Sequence, residues 1–216
     1  MLDINTPINR RCFLEKSLLG LGGIALLPSV NLKILGLDEW PEGKILGRNT
    51  VYLPSALPIR SKPTIDGPVV RYLVEDECVV WLREVIGETP VGRPNKKWVE
   101  TAEGYIYCPS LQKVMNLPNE PIAELPVYGD EQGMWAEVTV PYVNLELANP
   151  PARAPWLNAV SKTLWRLYYS QVIWVDEIKI DSDGRVLYLL NERYGSYGDI
   201  FWADARAFRR VTEDEI

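Results

Sequence analysis

The residue types that carry most enzymatic chemistry are thinly spread in this chain. Cysteines stand at positions 12, 78 and 108, and there is no histidine anywhere. Without imidazole, the Ser-His-Asp and Cys-His nucleophile arrangements are excluded, together with nearly all zinc and haem sites. No CxxC pair occurs, which excludes a zinc ribbon or a thioredoxin-type redox centre. Glu75-Asp76-Glu77 places three carboxylates in a row, but consecutive residues on a strand or turn point alternately and do not converge as an acid/base pair. They read as a solvated turn. Asp181 and Asp183 sit in a DSDG run whose Gly184 falls at the fourth position, not the sixth that a calcium loop requires, so the run reads as a hairpin turn. Neither a metal nor a cofactor is expected. Indole and phenol, by contrast, are abundant: eight Trp and eleven Tyr against three Phe. Trp81, Tyr107, Tyr168, Tyr169 and Trp174 are the candidates for a groove that stacks on glycan or peptide, against the plainer reading that most such rings fill small cores.

The elements that would position these rings are short strands. TVYLP, VVRYLV, CVVWLREVI, KWVE and GYIYC are β-branched or aromatic runs separated by Pro, Gly, Asp and Asn, the texture of a small β-module. A second set follows: WAEVTVPYVNLEL, TLWRLYYSQVIWVDEIKI and RVLYLLNERYGSYGDIFWADARAFRRV, with LANPPARAPWLNAVSK as a long loop between the first two. No long helical periodicity competes. The 216 residues suit one domain or two small ones. With 23 Lys+Arg against 29 Asp+Glu the formal charge is −6, which argues against a nucleic-acid partner.

The first segment has the pattern of an address. Arg10-Arg11, Phe13 and Leu14 precede an apolar, glycine-containing run from Ser17 to Val30, and their spacing resembles a twin-arginine export signal. Asn9 replaces the usual Ser or Thr, and Glu15 precedes the lysine. The run is too short and too broken by Pro28 and Lys33 for a membrane span. It lacks an A-x-A cleavage site, so both removal and retention as a membrane anchor stay open.

Beyond the signal, Arg60, Ser61, Pro63, Val70, Leu73, Trp98, Val99, Gly104-Tyr105-Ile106 and Leu111 resemble the pattern of bacterial SH3-like domains. With Leu111-Gln112, Ala136 to Tyr142, Arg166 to Tyr169, Trp174-Val175 and Trp202 to Arg206 added, the whole chain resembles the N-terminal, non-catalytic half of exported bacterial L,D-transpeptidases. The histidine and S-H-G-C-x-R nucleophile motif of that family's catalytic domain are absent here, so neither Cys78 nor Cys108 is carried over as a nucleophile. For that pair two readings stand: a disulfide formed outside the cytoplasm, or two small buried hydrophobes that never meet, the second being the one the sequence favours.

The resulting expectation is a mainly β chain with two small SH3-like β-barrel modules in tandem. Its parts are an export segment (1–36), a polar lead-in (37–48), a first module (49–116), a linker (117–133), a second module (134–211) and the start of a further linker (212–216). The resemblance implies a non-enzymatic protein of the cell envelope, exported by the twin-arginine translocase, that binds or positions on peptidoglycan or its stem peptides. The alternative is a stand-alone wall hydrolase working with carboxylates and tyrosines.

Overall fold

Short β-branched and aromatic runs form strands, and Gly, Pro and Asp break them. A computed structural model describes residues 40–52, 55–88, 92–128, 130–159, 165–191 and 197–215. The export segment, with Arg10, Arg11, Phe13 and Leu14, lies outside the described residues. In chain order the first strands are β1 (Ile45–Asn49), β2 (Leu57–Arg60), β3 (Val69–Leu73), β4 (Cys78–Val80), β5 (Arg83–Ile86), β6 (Lys97–Glu100), β7 (Tyr105–Tyr107) and β8 (Leu111–Met115). There follow β9 (Val127–Tyr128), β10 (Glu131–Gln132), β11 (Met134–Val138), β12 (Tyr142–Asn144) and β13 (Glu146–Leu147), then one short helix, α1 (Pro155–Ala159). The last strands are β14 (Arg166–Tyr168), β15 (Val172–Ile180), β16 (Val186–Asn191), β17 (Ile200–Asp204) and β18 (Phe208–Arg210).

The described residues are mainly β, but none of the sheets among them closes into a barrel. The strands pair as β3-β2-β7-β6-β5, β4-β1-β8 and β13-β17-β16-β15-β11-β18, with the two-stranded ribbons β12-β14 and β10-β9 beside them. The run CVVWLREVI shows why the first region stays open. It divides at Trp81-Leu82: Trp81 N–H donates to the Ile45 carbonyl at 2.9 Å, and Leu82 N–H to the Glu100 carbonyl at 3.0 Å. One apolar run therefore serves two sheets.

The lead-in also differs from its expected character. Ile45–Asn49 is the central strand of the β4-β1-β8 sheet, with Leu46 to Asn49 buried, and Trp40 just before it is buried too. Gly47 permits this: a Cβ there would meet Leu111 Cδ1 at 2.9 Å and the Trp81 ring at 3.4 Å, so only hydrogen lets both side chains rest on the strand. The expected linker carries the β9–β10 ribbon, and the expected loop after β13 contains α1, whose Leu157 is buried.

Two larger apolar clusters result. Leu57, Ile59, Leu73, Val79, Trp81, Val99, Ile106 and Leu111 fill the first region. The other takes Trp40, Leu46 and Val114 from early strands and packs them with Met134, Ala136, Val138, Tyr142, Val175, Tyr188 and Phe208. That second cluster makes one continuous core across the β9–β10 connection, and the described residues from Trp40 onward pack as a single unit. The strand β18 completes it, Val211 being buried with its N–H on the Trp135 carbonyl at 2.9 Å.

Candidate functional site

The ribbon β12–β14 organises the two places where chemistry-bearing side chains gather. Tyr142 lies opposite Tyr168 and Asn144 opposite Arg166, so strand alternation puts these four on one face. On that face Arg166 Nη1 donates to Asp76 Oδ2 at 2.6 Å, Arg166 Nε to Asn144 Oδ1 at 2.9 Å, and the Tyr168 hydroxyl to Asp76 Oδ2 at 3.2 Å. Arg48 from β1 takes the other oxygen, Asp76 Oδ1, and its Nε and Nη2 both donate to Gln112 Oε1, at 3.0 and 2.6 Å. The guanidinium of Arg48 lies 4.0 Å from the centre of the Tyr168 ring, and that of Arg166 lies 4.1 Å from the Tyr142 ring, both within cation–π range.

Asp76 is the centre of this junction. Its side chain is 1% exposed, and its backbone stands at φ +61, a left-handed conformation that Asp tolerates better than most residues. The solvated turn expected at Glu75-Asp76-Glu77 is therefore corrected for its middle residue. Two arginines, 28 and 90 positions away, enclose it, and no local pattern shows such partners. Glu77 turns outward to Arg71, at 2.7 Å. Burial, followed by the charge of Asp76, pushes the Tyr168 hydroxyl well above its usual range. A phenol held neutral beside a carboxylate already bound by two guanidiniums is arranged for cohesion more than for proton transfer.

The other face of the same ribbon borders a cavity of about 450 Å³. Trp165 and Trp174 are buried and form its depth; Trp135 and Phe201 are half-buried walls; Trp156 on α1 and Tyr197 are exposed at the rim. Trp135 meets Trp174 edge-to-face at 5.4 Å, and Trp165 meets Phe201 the same way at 6.2 Å, so ring faces on neighbouring walls stand nearly at right angles. The indole N–H groups are spent inward, Trp174 on Asp176 Oδ1 at 2.7 Å and Trp165 on the Leu157 carbonyl at 3.3 Å. Gly133 supports the depth of the cavity, since a Cβ there would collide with the Trp174 ring.

Asp199 also lines this cavity and is 3% exposed. Its carboxylate accepts from Arg153 N at 2.9 Å, Ala154 N at 2.8 Å and Asn149 Nδ2 at 3.4 Å. Burial pushes its pKa up, but the Arg153 and Ala154 N–H groups, then the Asn149 amide and the charge of Arg153, outweigh this and hold it below the usual carboxylate range.

The five aromatic candidates do not share one groove. Trp174 lines the cavity. Trp81 is buried in the first core rather than exposed. Tyr107 packs edge-to-face on Trp98 and donates to the Asn95 carbonyl at 2.9 Å. Tyr168 belongs to the Asp76 junction, and Tyr169 packs against the second core. Cys78 and Cys108 are free thiols, which sets aside the disulfide reading. They pack against different clusters, Cys78 on the second and Cys108 on the first. Burial pushes the Cys78 thiol up to about 12 and raises Cys108 as well. Among the described residues no group of three or more Cys, Asp or Glu gathers to hold a metal ion.

Trp135, Trp156, Trp165, Phe201 and Asp199 were not singled out by sequence. One signal was present: five of the eight tryptophans fall beyond residue 134, more than a second small core needs. No protein-family model and no curated protein matches the chain.

Proposed function

We propose that this chain is an exported, non-enzymatic protein of the bacterial cell envelope that binds peptidoglycan through the aromatic cavity beside β12–β14. The observation that carries this reading is the cavity itself. Its volume suits a sugar unit or a short peptide, and its rings offer apolar faces that stack on pyranose carbons or side chains. The twin-arginine pattern at Arg10-Arg11 supports delivery by the translocase that carries folded proteins. The resemblance to the non-catalytic half of L,D-transpeptidases supports the wall as destination, with two SH3-like modules fused through the shared core as the finer description of the fold. Acidic wall polymers repel a chain of charge −6, so attraction rests on contact rather than on long-range steering.

Sedimentation of the full chain with purified sacculi over a salt series tests this. Binding is expected to persist at high salt, to fall in a Trp135→Ala/Trp156→Ala double variant, and to survive Tyr72→Ala on the distant β3. Absence of sedimentation at every salt concentration overturns the reading.

A further inference from the structure

The cavity carries one feature that stacking on sugar does not require, a buried carboxylate. Asp199 has no ion pair within 4.0 Å among the described residues; the guanidinium of Arg153, whose charge reaches Asp199 and adds to the lowering of its pKa, donates to the Gly198 carbonyl at 3.3 Å. Ionised carboxylates removed from water are ordinarily matched by a cation or neutralised by a proton. Here three N–H donors, with the more distant charge of Arg153, keep the carboxylate ionised, and it stands beside a chamber walled by Trp135, Trp156, Trp165, Trp174, Tyr197 and Phe201. Aromatic faces carry negative potential, and six aromatic rings border this one volume. Arg166, the other charged residue at the cavity among the described residues, sends its guanidinium to Asp76 and Asn144 on the opposite face of the ribbon. Field and ring faces thus favour the same kind of guest.

We infer that the cavity is a site for an organic ammonium group, a primary or quaternary amine on an apolar stem, held by the aromatic walls and the charge of Asp199. This rests on the cavity being the binding site proposed above, and it names the part of the wall that is recognised. The free amine of a stem-peptide diamino acid, more than the sugar faces, would enter. The alkyl stem lies against Trp165 and Trp174, and the ammonium sits where the rings and the carboxylate act together. Each ring face within about 6 Å of such a cation contributes attraction that strengthens as water leaves.

The test compares ligands in the unaltered full chain by tryptophan fluorescence. Choline is set against 3,3-dimethylbutanol, its neutral isostere, and Nα-acetyl-lysine amide against the same compound acetylated at Nε. The expected result is at least a tenfold preference for the charged member of one pair. A preference in the lysine pair identifies a wall amine, and one confined to choline identifies a free quaternary ammonium. Asp199→Asn is expected to abolish most of the preference, and Trp156→Ala, at the exposed rim, to weaken the charged ligand several-fold. Equal affinity within both pairs, preference for the neutral members, or no response to any probe overturns the inference. Sedimentation with sacculi but no charge preference defeats this inference alone. Charge preference without sedimentation defeats the wall reading alone.

Discussion

The two faces of the β12–β14 ribbon use the same residue types to opposite ends. On one face Tyr142 and Tyr168 are covered by Arg166 and Arg48, and Asp76 between them is bound by both guanidiniums. On the other, Trp165 and Leu167 border a chamber whose carboxylate, Asp199, takes its hydrogen bonds from neutral donors, with the charge of Arg153 acting on it from beyond ion-pair distance. A one-residue step along β14 separates a closed junction from an open cavity. The chemistry of a side chain is therefore set less by its type than by what the fold supplies opposite it: a long-range cation closes the first face, and none of the described cations closes the second around its carboxylate.

The sharpest way to break the comparison is to remove the charge that closes the first face. Asp76→Asn keeps the size of the side chain and its tolerance of a positive φ, but leaves Arg48 and Arg166 buried beside each other without their anion. Loss of one partner from a buried ion pair costs about 3–5 kcal/mol, so urea denaturation should show a fall in unfolding free energy of that order. A change under about 1 kcal/mol would mean that the junction behaves as an exposed ion pair and does not fasten the two regions together.

The second face can be disturbed from below. In Gly133→Ala the new methyl would collide with the Trp174 ring, and overpacking of this kind costs about 1–3 kcal/mol. The near-ultraviolet dichroism of the indoles should change, and cavity ligands should bind more weakly. Unchanged spectra with unchanged binding would show that Trp174 does not shape the chamber.

A milder probe returns to the first face. Cys78 Sγ lies 3.6 Å from the Asp76 carbonyl, and burial pushes the thiol up to about 12. The folded state thus keeps a proton that the unfolded chain releases near pH 8.5. Stability from this group is complete below that value and is lost as pH rises toward 12, by about 1.4 kcal/mol per pH unit. Comparison with Cys78→Ala across pH 8–11 isolates the slope. Alkylation at pH 8 should also be slower than for a free thiol by a factor on the order of 10³, because so little thiolate is present. Rapid modification in the native state would show an open junction.

Strand alternation explains how much of this was legible in the sequence. VVRYLV, KWVE, GYIYC and the DSDG hairpin are readable from local pattern, because side-chain period and turn chemistry are local properties. The break at Trp81-Leu82 is not, since an apolar run gives no sign that its halves pair with different sheets. Ile45–Asn49 reads as lead-in because Gly47 and Arg48 dilute its apolar character, although Gly47 makes room for Trp81 and Arg48 finds its anion 28 residues on. The Asp76 junction and the Asp199 cavity rest on partners brought together by tertiary structure. The excess of tryptophan past residue 134 was the one trace of the cavity in composition.

The smallest expected effect on stability is also the most discriminating. Trp156 stands on α1 at the cavity rim and is 57% exposed, so its truncation removes little buried surface. Exposed positions away from caps and cores change stability by about 0.5 kcal/mol or less, and Trp156→Ala should unfold at nearly the unaltered denaturant concentration. A rim residue that contributes almost nothing to folding can still matter to a guest that packs against its ring, so retention on sacculi should fall several-fold. Asp76→Asn, at the closed junction, should show the reverse weighting, a large loss of stability with ligand affinity kept in the fraction that remains folded. If Trp156→Ala proved strongly destabilising while leaving binding intact, the contrast between the faces would invert: α1 would be part of the core, and the chamber beside it a packing defect instead of a site.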